Sequence, residues 1–203
     1  MLLATDCRGI TAWHAAAERG NLEILQEIWN LAKDKLPADE VKNKLLLATD
    51  CKGMTTWQAA AKWGNLEKLQ KIWNLTKEKL SADEAKNKLL ATDCNGMTAW
   101  HAAAERGNLE ILQEIWNLAK EKLTADELKN KLLLTTDIRG RTVLHEAANI
   151  GRIGVLHKLR EWATERLITE EINKNLLFAG DNTGVTVWYL AAYRWISDYL
   201  TKL

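Results

Sequence analysis

From Asn21 to Leu36 the chain follows a helical rhythm, with Leu22, Leu25, Ile28, Trp29, Ala32 and Leu36 three or four positions apart. That spacing gathers the apolar side chains into one stripe of an amphipathic α-helix and leaves the polar residues on the other side. The preceding run, Ala12 to Arg19, is rich in alanine and predicts a second, shorter helix. Thr11 can cap its start, and Gly20 can end it in the left-handed conformation. A third helix is predicted after Leu36. In one copy Thr124-Ala125-Asp126-Glu127 forms a capping box, in which Thr and Glu each satisfy the other's free backbone N–H. Ser81-Ala82-Asp83-Glu84 repeats that box, and Pro37 stands at the equivalent position. Glu127 and Lys131 add a favourable charge pair four residues apart.

These elements recur. Asp-x-x-Gly occurs at Asp6, Asp50, Asp93, Asp137 and Asp181, and a threonine follows each glycine by two residues (Thr11, Thr55, Thr98, Thr142, Thr186). The starts are 43 or 44 residues apart, and Asp6–Thr49 differs from Asp93–Thr136 at six of 44 positions. The 43-residue repeat lacks one leucine, reading Leu89-Leu90-Ala91 where its neighbour reads Leu45-Leu46-Leu47-Ala48. A fixed period of this length signals stacked supersecondary units, each unable to bury its apolar face alone. Ten tryptophans against one phenylalanine follow from the same duplication. Trp13, Trp57, Trp100 and Trp188 share one position of the first helix, and Trp29, Trp73 and Trp116 share one of the second, so all seven are expected in the core.

Asp6-x-x-Gly9-x-Thr11-Ala12-Trp13-His14-x-Ala16-Ala17-x-x-Gly20-Asn21-Leu22 resembles the ankyrin repeat, whose signature is a D-x-x-G turn followed by T-P-L-H-x-A-A-x-x-G-H and a second helix. Two departures stand out: Ala12, Thr56, Ala99 and Val143 replace the family's proline, and the repeat is roughly 10 residues longer than the usual 33. The resemblance implies an all-α helical-repeat solenoid with short β-turn fingers. It would form a single domain over residues 1–203, with full repeats 6–49, 50–92, 93–136 and 137–180 and a partial repeat 181–203. It further implies that His14, His101 and His145 are structural, tying adjacent turns by hydrogen bonds, with Gln58 and Tyr189 at the same place in the other repeats. Leu2-Leu3-Ala4-Thr5 matches the tail Leu46–Thr49, so a start within a repeat is expected, and its leucines offer a route to self-association. At the other end Trp195 takes the place of the turn glycine, and the partial repeat reads as a C-terminal cap.

Composition narrows the function. Lys plus Arg (28) nearly equals Asp plus Glu (27), which points away from nucleic acid and from an anionic membrane. Three cysteines argue against a secreted disulfide framework, so a cytoplasmic or nuclear setting is expected. Cys7, Cys51 and Cys94 share the second turn position and should be accessible thiols too far apart to pair. The chain carries no G-x-S-x-G, phosphate-binding loop or H-E-x-x-H motif, so neither an enzyme nor a cofactor or metal site is expected.

The expected function is binding of a protein or peptide. In ankyrin proteins the turn tips and first helices line a concave binding face, and carried over this implies Arg8, Ile10, Arg19, Lys52, Met54, Lys62, Trp63, Asn95, Met97, Arg106, Arg139 and Arg141. Met54, Trp63 and Met97 would form an apolar centre ringed by Arg8, Lys52, Arg106 and Arg139. Repeat 2 is the most basic, with eight basic and five acidic residues, which suits an acidic partner. The alternative is a structural or engineered consensus-like scaffold with no native ligand. Near-identity of repeats 1 and 3 favours it, and the irregular repeat 4, with Gly154 inside a helix, speaks against it.

Overall fold

The computed structural model describes residues 3–19, 21–63 and 65–200, with side chains through Arg194. The expectations resting on Leu2, on Gly20 and on the Trp195 side chain lie outside the described residues. Thirteen α-helices and no extended strand run through the described residues. Contacts divide the chain into two compact bodies, Met1–Ala99 and Trp100–Leu203. Within each, the helical-repeat organisation expected from the sequence is present.

Each full repeat begins with the turn. The Asp50 carboxylate accepts backbone N–H bonds from Lys52 and Met54, both at 2.9 Å, and Asp6, Asp93, Asp137 and Asp181 do the same two and four residues on. The turn then closes on a glycine with φ near +70°, a conformation that carries a steric penalty for any residue with a Cβ. At Gly140 space enforces the choice too, because a Cβ would lie 2.5 Å from Oδ1 of Asn182. Successive turns are joined sideways, with Cys51 N donating to the Arg8 carbonyl at 2.8 Å, Cys94 N to Lys52 at 2.7 Å and Asn182 N to Arg139 at 2.8 Å.

The first helices are α1 (Ala12–Glu18), α4 (Thr56–Trp63), α7 (Ala99–Arg106) and α10 (Val143–Ile150). Thr11 caps α1 by accepting from His14 N, and Gly107 and Gly151 follow α7 and α10 in the left-handed conformation. The second helices are α2 (Leu22–Lys35), α5 (Leu66–Lys79), α8 (Leu109–Lys122) and α11 (Ile153–Thr164). Asn21, Asn65 and Asn108 cap the first three. Of the expected α2 stripe, Leu25, Trp29 and Ala32 are buried, whereas Leu22 at the helix start is exposed. The position of Ile24 is buried in α5 and α8, where Lys68 and Ile111 occupy it. It points back at the preceding repeat, since Lys68 Nζ reaches the Glu18 carbonyl at 3.4 Å.

Tryptophans fill the cores. Trp13 meets Trp29 at 6.1 Å between ring centroids, Trp57 meets Trp73 at 5.1 Å and Trp100 meets Trp116 at 6.0 Å, and all six are buried. Each such pair adds about 0.5–1.5 kcal/mol beyond burial. Repeat 4 has Leu144 and Arg160 at these two positions, yet Trp162, two residues on, stacks with Trp100 and Trp116 at 5.6 and 5.5 Å. Trp188 departs from expectation, at 55% exposed.

The third helix shows what one residue does. In repeats 1, 3 and 4 a short α-turn, α3 (Ala38–Glu40), α9 (Ala125–Glu127) and α12 (Thr169–Ile172), runs into a π-helical segment: Val41–Leu46, Leu128–Leu133 and Asn173–Leu177. Their i→i−5 bonds are explicit, with Leu47 N donating to Lys42 and Leu134 N to Lys129. Repeat 2, one leucine shorter, has a plain α-helix, α6 (Ala82–Leu90), with the expected capping box at Ser81 and Glu84. A π-turn is how an α-helix absorbs one extra residue. Without that residue, Lys88 takes the place that buried Leu45 holds in repeat 1 when residues are counted back from the following turn. Lys88 is buried and donates to the Leu46 carbonyl, whereas Lys44 and Lys131 at its nominal position are exposed and paired with Glu40 and Glu127. The last helix, α13 (Val187–Leu200), packs against α10.

Candidate interaction surface

The turn geometry fixes which side chains reach solvent. Asp spends its carboxylate on the backbone, the glycine has no side chain, and the threonine is turned inward as a cap, which leaves the second and third positions to project while the fifth is half-buried or buried. Cys7, Cys51 and Cys94 are free and exposed, as expected.

In the N-terminal body Arg8, Arg19, Lys52 and Asn95 are exposed, while Ile10, Met54 and Lys62 are half-buried. Arg8 holds Asp6 through two bonds of 3.1 Å; the Ile10 N–H above all, with the Arg8 N–H and guanidinium, keeps the Asp6 carboxyl below the usual carboxylate range. Arg19 pairs with Glu18 at 2.9 Å. Trp63 is 38% exposed at the end of α4, and the Lys62 ammonium lies 5.6 Å from its ring centroid. Met97 does not match its expected place in an exposed apolar centre, being only 8% exposed. Its carbonyl accepts from Gln58 in the preceding repeat, which draws the residue into the turn-to-turn junction.

In the C-terminal body Arg106 and Arg139 are exposed, and Arg139 pairs with Asp137 at 3.3 Å. Arg141 is a second correction. Its side chain is 11% exposed and its guanidinium lies 3.2 Å from Glu146, which is itself buried. A buried carboxylate needs a cation, and Arg141 turns inward to supply it. Burial raises the Glu146 pKa, Arg141 counteracts this, and Glu105 and Asp137 push it further up.

At His145 and at Gln58 this position joins neighbouring turns, the role expected of it. His145 Nδ1 accepts from Thr142 N at 3.2 Å, which leaves the proton on Nε2, 3.2 Å from the Val185 carbonyl. Gln58 performs the same task with an amide: its Oε1 accepts from Thr55 N at 2.8 Å, and its Nε2 donates to Ala91 O and Met97 O at 3.0 and 2.8 Å. Burial lowers the pKa of His14 and of His145, and the bond to the next turn is made by His145. Sequence reasoning missed Lys88, whose pKa burial lowers to about 7. The available signal was the leucine missing from repeat 2.

Among the described residues no cluster of three or more His, Cys, Asp or Glu could hold a metal ion, and no helix is long and apolar enough to cross a membrane. Comparison with curated proteins gave no match. The family model of the ankyrin repeat matches residues 95–120, which run from the third turn through α7 into α8. The same turn, threonine and helix pair recur in the repeats around that match, so the chain is a helical-repeat protein whose third repeat is similar to the ankyrin repeat.

Proposed function

We propose that this chain is a non-catalytic interaction module that binds a protein or peptide through the side chains of its turn tips and first helices. Ankyrin repeats are in general protein–protein interaction modules. The observation that carries the reading is the sideways hydrogen bonding of successive turns, 2.7–2.8 Å from Cys51 to Arg8 and from Cys94 to Lys52. It holds exposed side chains of neighbouring repeats in fixed register, and a pre-ordered surface loses little entropy when a partner docks. On the N-terminal body that surface carries Lys52, Lys62 and Trp63 beside Arg8 and Arg19. An aromatic anchor ringed by cations suits an acidic segment with an apolar residue at its centre.

Affinity capture with the full chain, compared with Trp63→Ala and Lys52→Glu, tests this. A partner held by the wild type should be lost or weakened about tenfold or more in both variants, the range for an interface anchor. Equal capture by all three would contradict the reading. The exposed Leu22 and Ile24 on α2 keep self-association as a further proposal, which light scattering across concentration addresses.

A further inference from the structure

In repeats 1 to 3 the indole at the second position of the first helix is covered by an indole of the second helix, as the pairs Trp13–Trp29, Trp57–Trp73 and Trp100–Trp116 show. Repeat 5 keeps the first indole, Trp188, but α13 runs on as one helix to Leu200 where full repeats turn and begin a second helix. Trp188 is therefore 55% exposed against 0% for Trp13, Trp57 and Trp100. Tyr189 and Tyr193 are exposed on the same helix and stack at 6.3 Å. A cavity of about 220 Å³ lies here, lined by Leu156, Val187 and Trp188 together with the exposed His157 and Arg160.

The chain itself shows the chemistry that fills such a place. Where the second helices of repeats 1 and 2 adjoin, Glu23 and Glu27 of α2 share a surface hollow with Lys71 of α5, opposite charges across neighbouring helices. In α11 the positions of Glu23 and Glu27 are Gly154 and Lys158, with His157 and Arg160 alongside. Lys158 is engaged by Glu161 at 2.8 Å, which leaves the exposed Arg160 as the cation lining the groove, so complementarity asks for acid on the incoming helix.

We infer that this groove is a docking site for an acidic amphipathic helix of a partner protein, which packs against α13 as a second helix packs against the first in full repeats. Its Trp or Leu covers Trp188, its apolar stripe enters the groove in the helix-in-groove mode, and its acidic residues face Arg160 and His157. This surface is separate from the turn tips and does not depend on their function.

The probe is a fluorescein-labelled peptide with the sequence of Asn108–Leu123, which carries Trp116 on its apolar stripe and Glu114 at the position of Lys71. It is titrated with the full chain by fluorescence anisotropy. Saturable binding is expected, weakened about tenfold or more by Trp188→Ser. Arg160→Glu should weaken it about fivefold or more, and a peptide with Glu110 and Glu114 replaced by lysine should recover affinity for that variant. Both substitutions are at exposed positions, and circular dichroism checks that the variants stay folded. Absence of saturable binding up to about 100 μM overturns the inference, as does binding that neither substitution changes. Concentration-dependent self-association of the chain that Trp188→Ser abolishes also overturns it, because the occupant would then be a second copy.

Discussion

The side-chain amide of Gln58 donates to the carbonyl oxygen of Met97 at 2.8 Å, linking the first helix of repeat 2 to the turn that opens repeat 3. His145 makes the equivalent bond to Val185. An amide and a neutral imidazole are interchangeable here because each offers an acceptor to its own threonine and a donor to the next turn. Gln58→His should therefore cost little. Gln58→Ala removes the acceptor of Thr55 N and a donor to each of the Ala91 and Met97 carbonyls, although Met97 O keeps its bond from Asp93 N, and should cost about 2–4 kcal/mol. Urea unfolding of the full chain checks both. Equal stability of the alanine variant would show that the bridge contributes nothing.

Lys88 makes stability depend on pH. Its pKa falls from an ordinary 10.5 to about 7 because burial penalises the charged amine. Between those values the unfolded chain holds more protons than the folded one, so stability rises with pH from about 7 towards 10, and the full penalty is present below 7. That penalty is on the order of 5 kcal/mol. The Leu46 carbonyl and His14 face the amine, while Glu84 on the same helix is engaged by Lys42. Lys88→Met should raise the thermal midpoint at pH 6 and flatten its rise from pH 7 to 9.5. An unchanged slope would mean that Lys88 does not titrate in this range.

The π-turns yield a prediction by deletion. Removing Leu134 gives repeat 3 the length of repeat 2, so the segment Leu128–Leu133 should wind as α-helix and bring Lys131 into the place of Leu132. The exposed ion pair with Glu127 would be lost and an amine buried, at a cost of about 3–5 kcal/mol. Restoring the missing residue in repeat 2, with a leucine added between Leu90 and Ala91, should return Lys88 to solvent and stabilise the chain. Denaturant midpoints of the two variants moving in the same direction would contradict this.

Arg141 and Glu146 form a pair whose disruption should appear in stability rather than in binding. Arg141→Met strands a buried carboxylate and should cost about 3 kcal/mol at pH 7. A carboxyl whose folded pKa is raised favours the fold least once the pH exceeds that value, so the loss should shrink as the pH falls and Glu146 takes up its proton. A loss independent of pH would point to packing alone.

Much of the fold was legible because its signals are local. The Asp-x-x-Gly turn, the threonine cap and the capping boxes at Ser81 and Thr124 depend on residues within four positions of one another, and the helical stripe on its own periodicity. Trp188, Met97 and Arg141 were misplaced because their environments are set by a helix that runs on, by a neighbouring repeat and by a buried carboxylate five residues away. Trp188 stands on a helix that runs on unbroken, Gln58 engages Met97, and Glu146 calls Arg141 inward. The single missing leucine was visible in the sequence. Its consequence was not, because turning α6 from π to α rotates Lys88 into the core, and that follows from helix geometry rather than from composition.

Three native thiols allow the binding surface to be tested without any substitution. Cys7, Cys51 and Cys94 are exposed at the second position of successive turns, on the face assigned to the partner. The measurement is the rate of iodoacetamide alkylation at each cysteine, by mass spectrometry, for the chain alone and in its purified complex with a captured partner. Alkylation of Cys51 and Cys94 should slow about tenfold or more in the complex, since a docked partner excludes reagent as it excludes water. If a partner is bound and all three thiols still react at the rate of the free chain, the turn tips are not the binding surface.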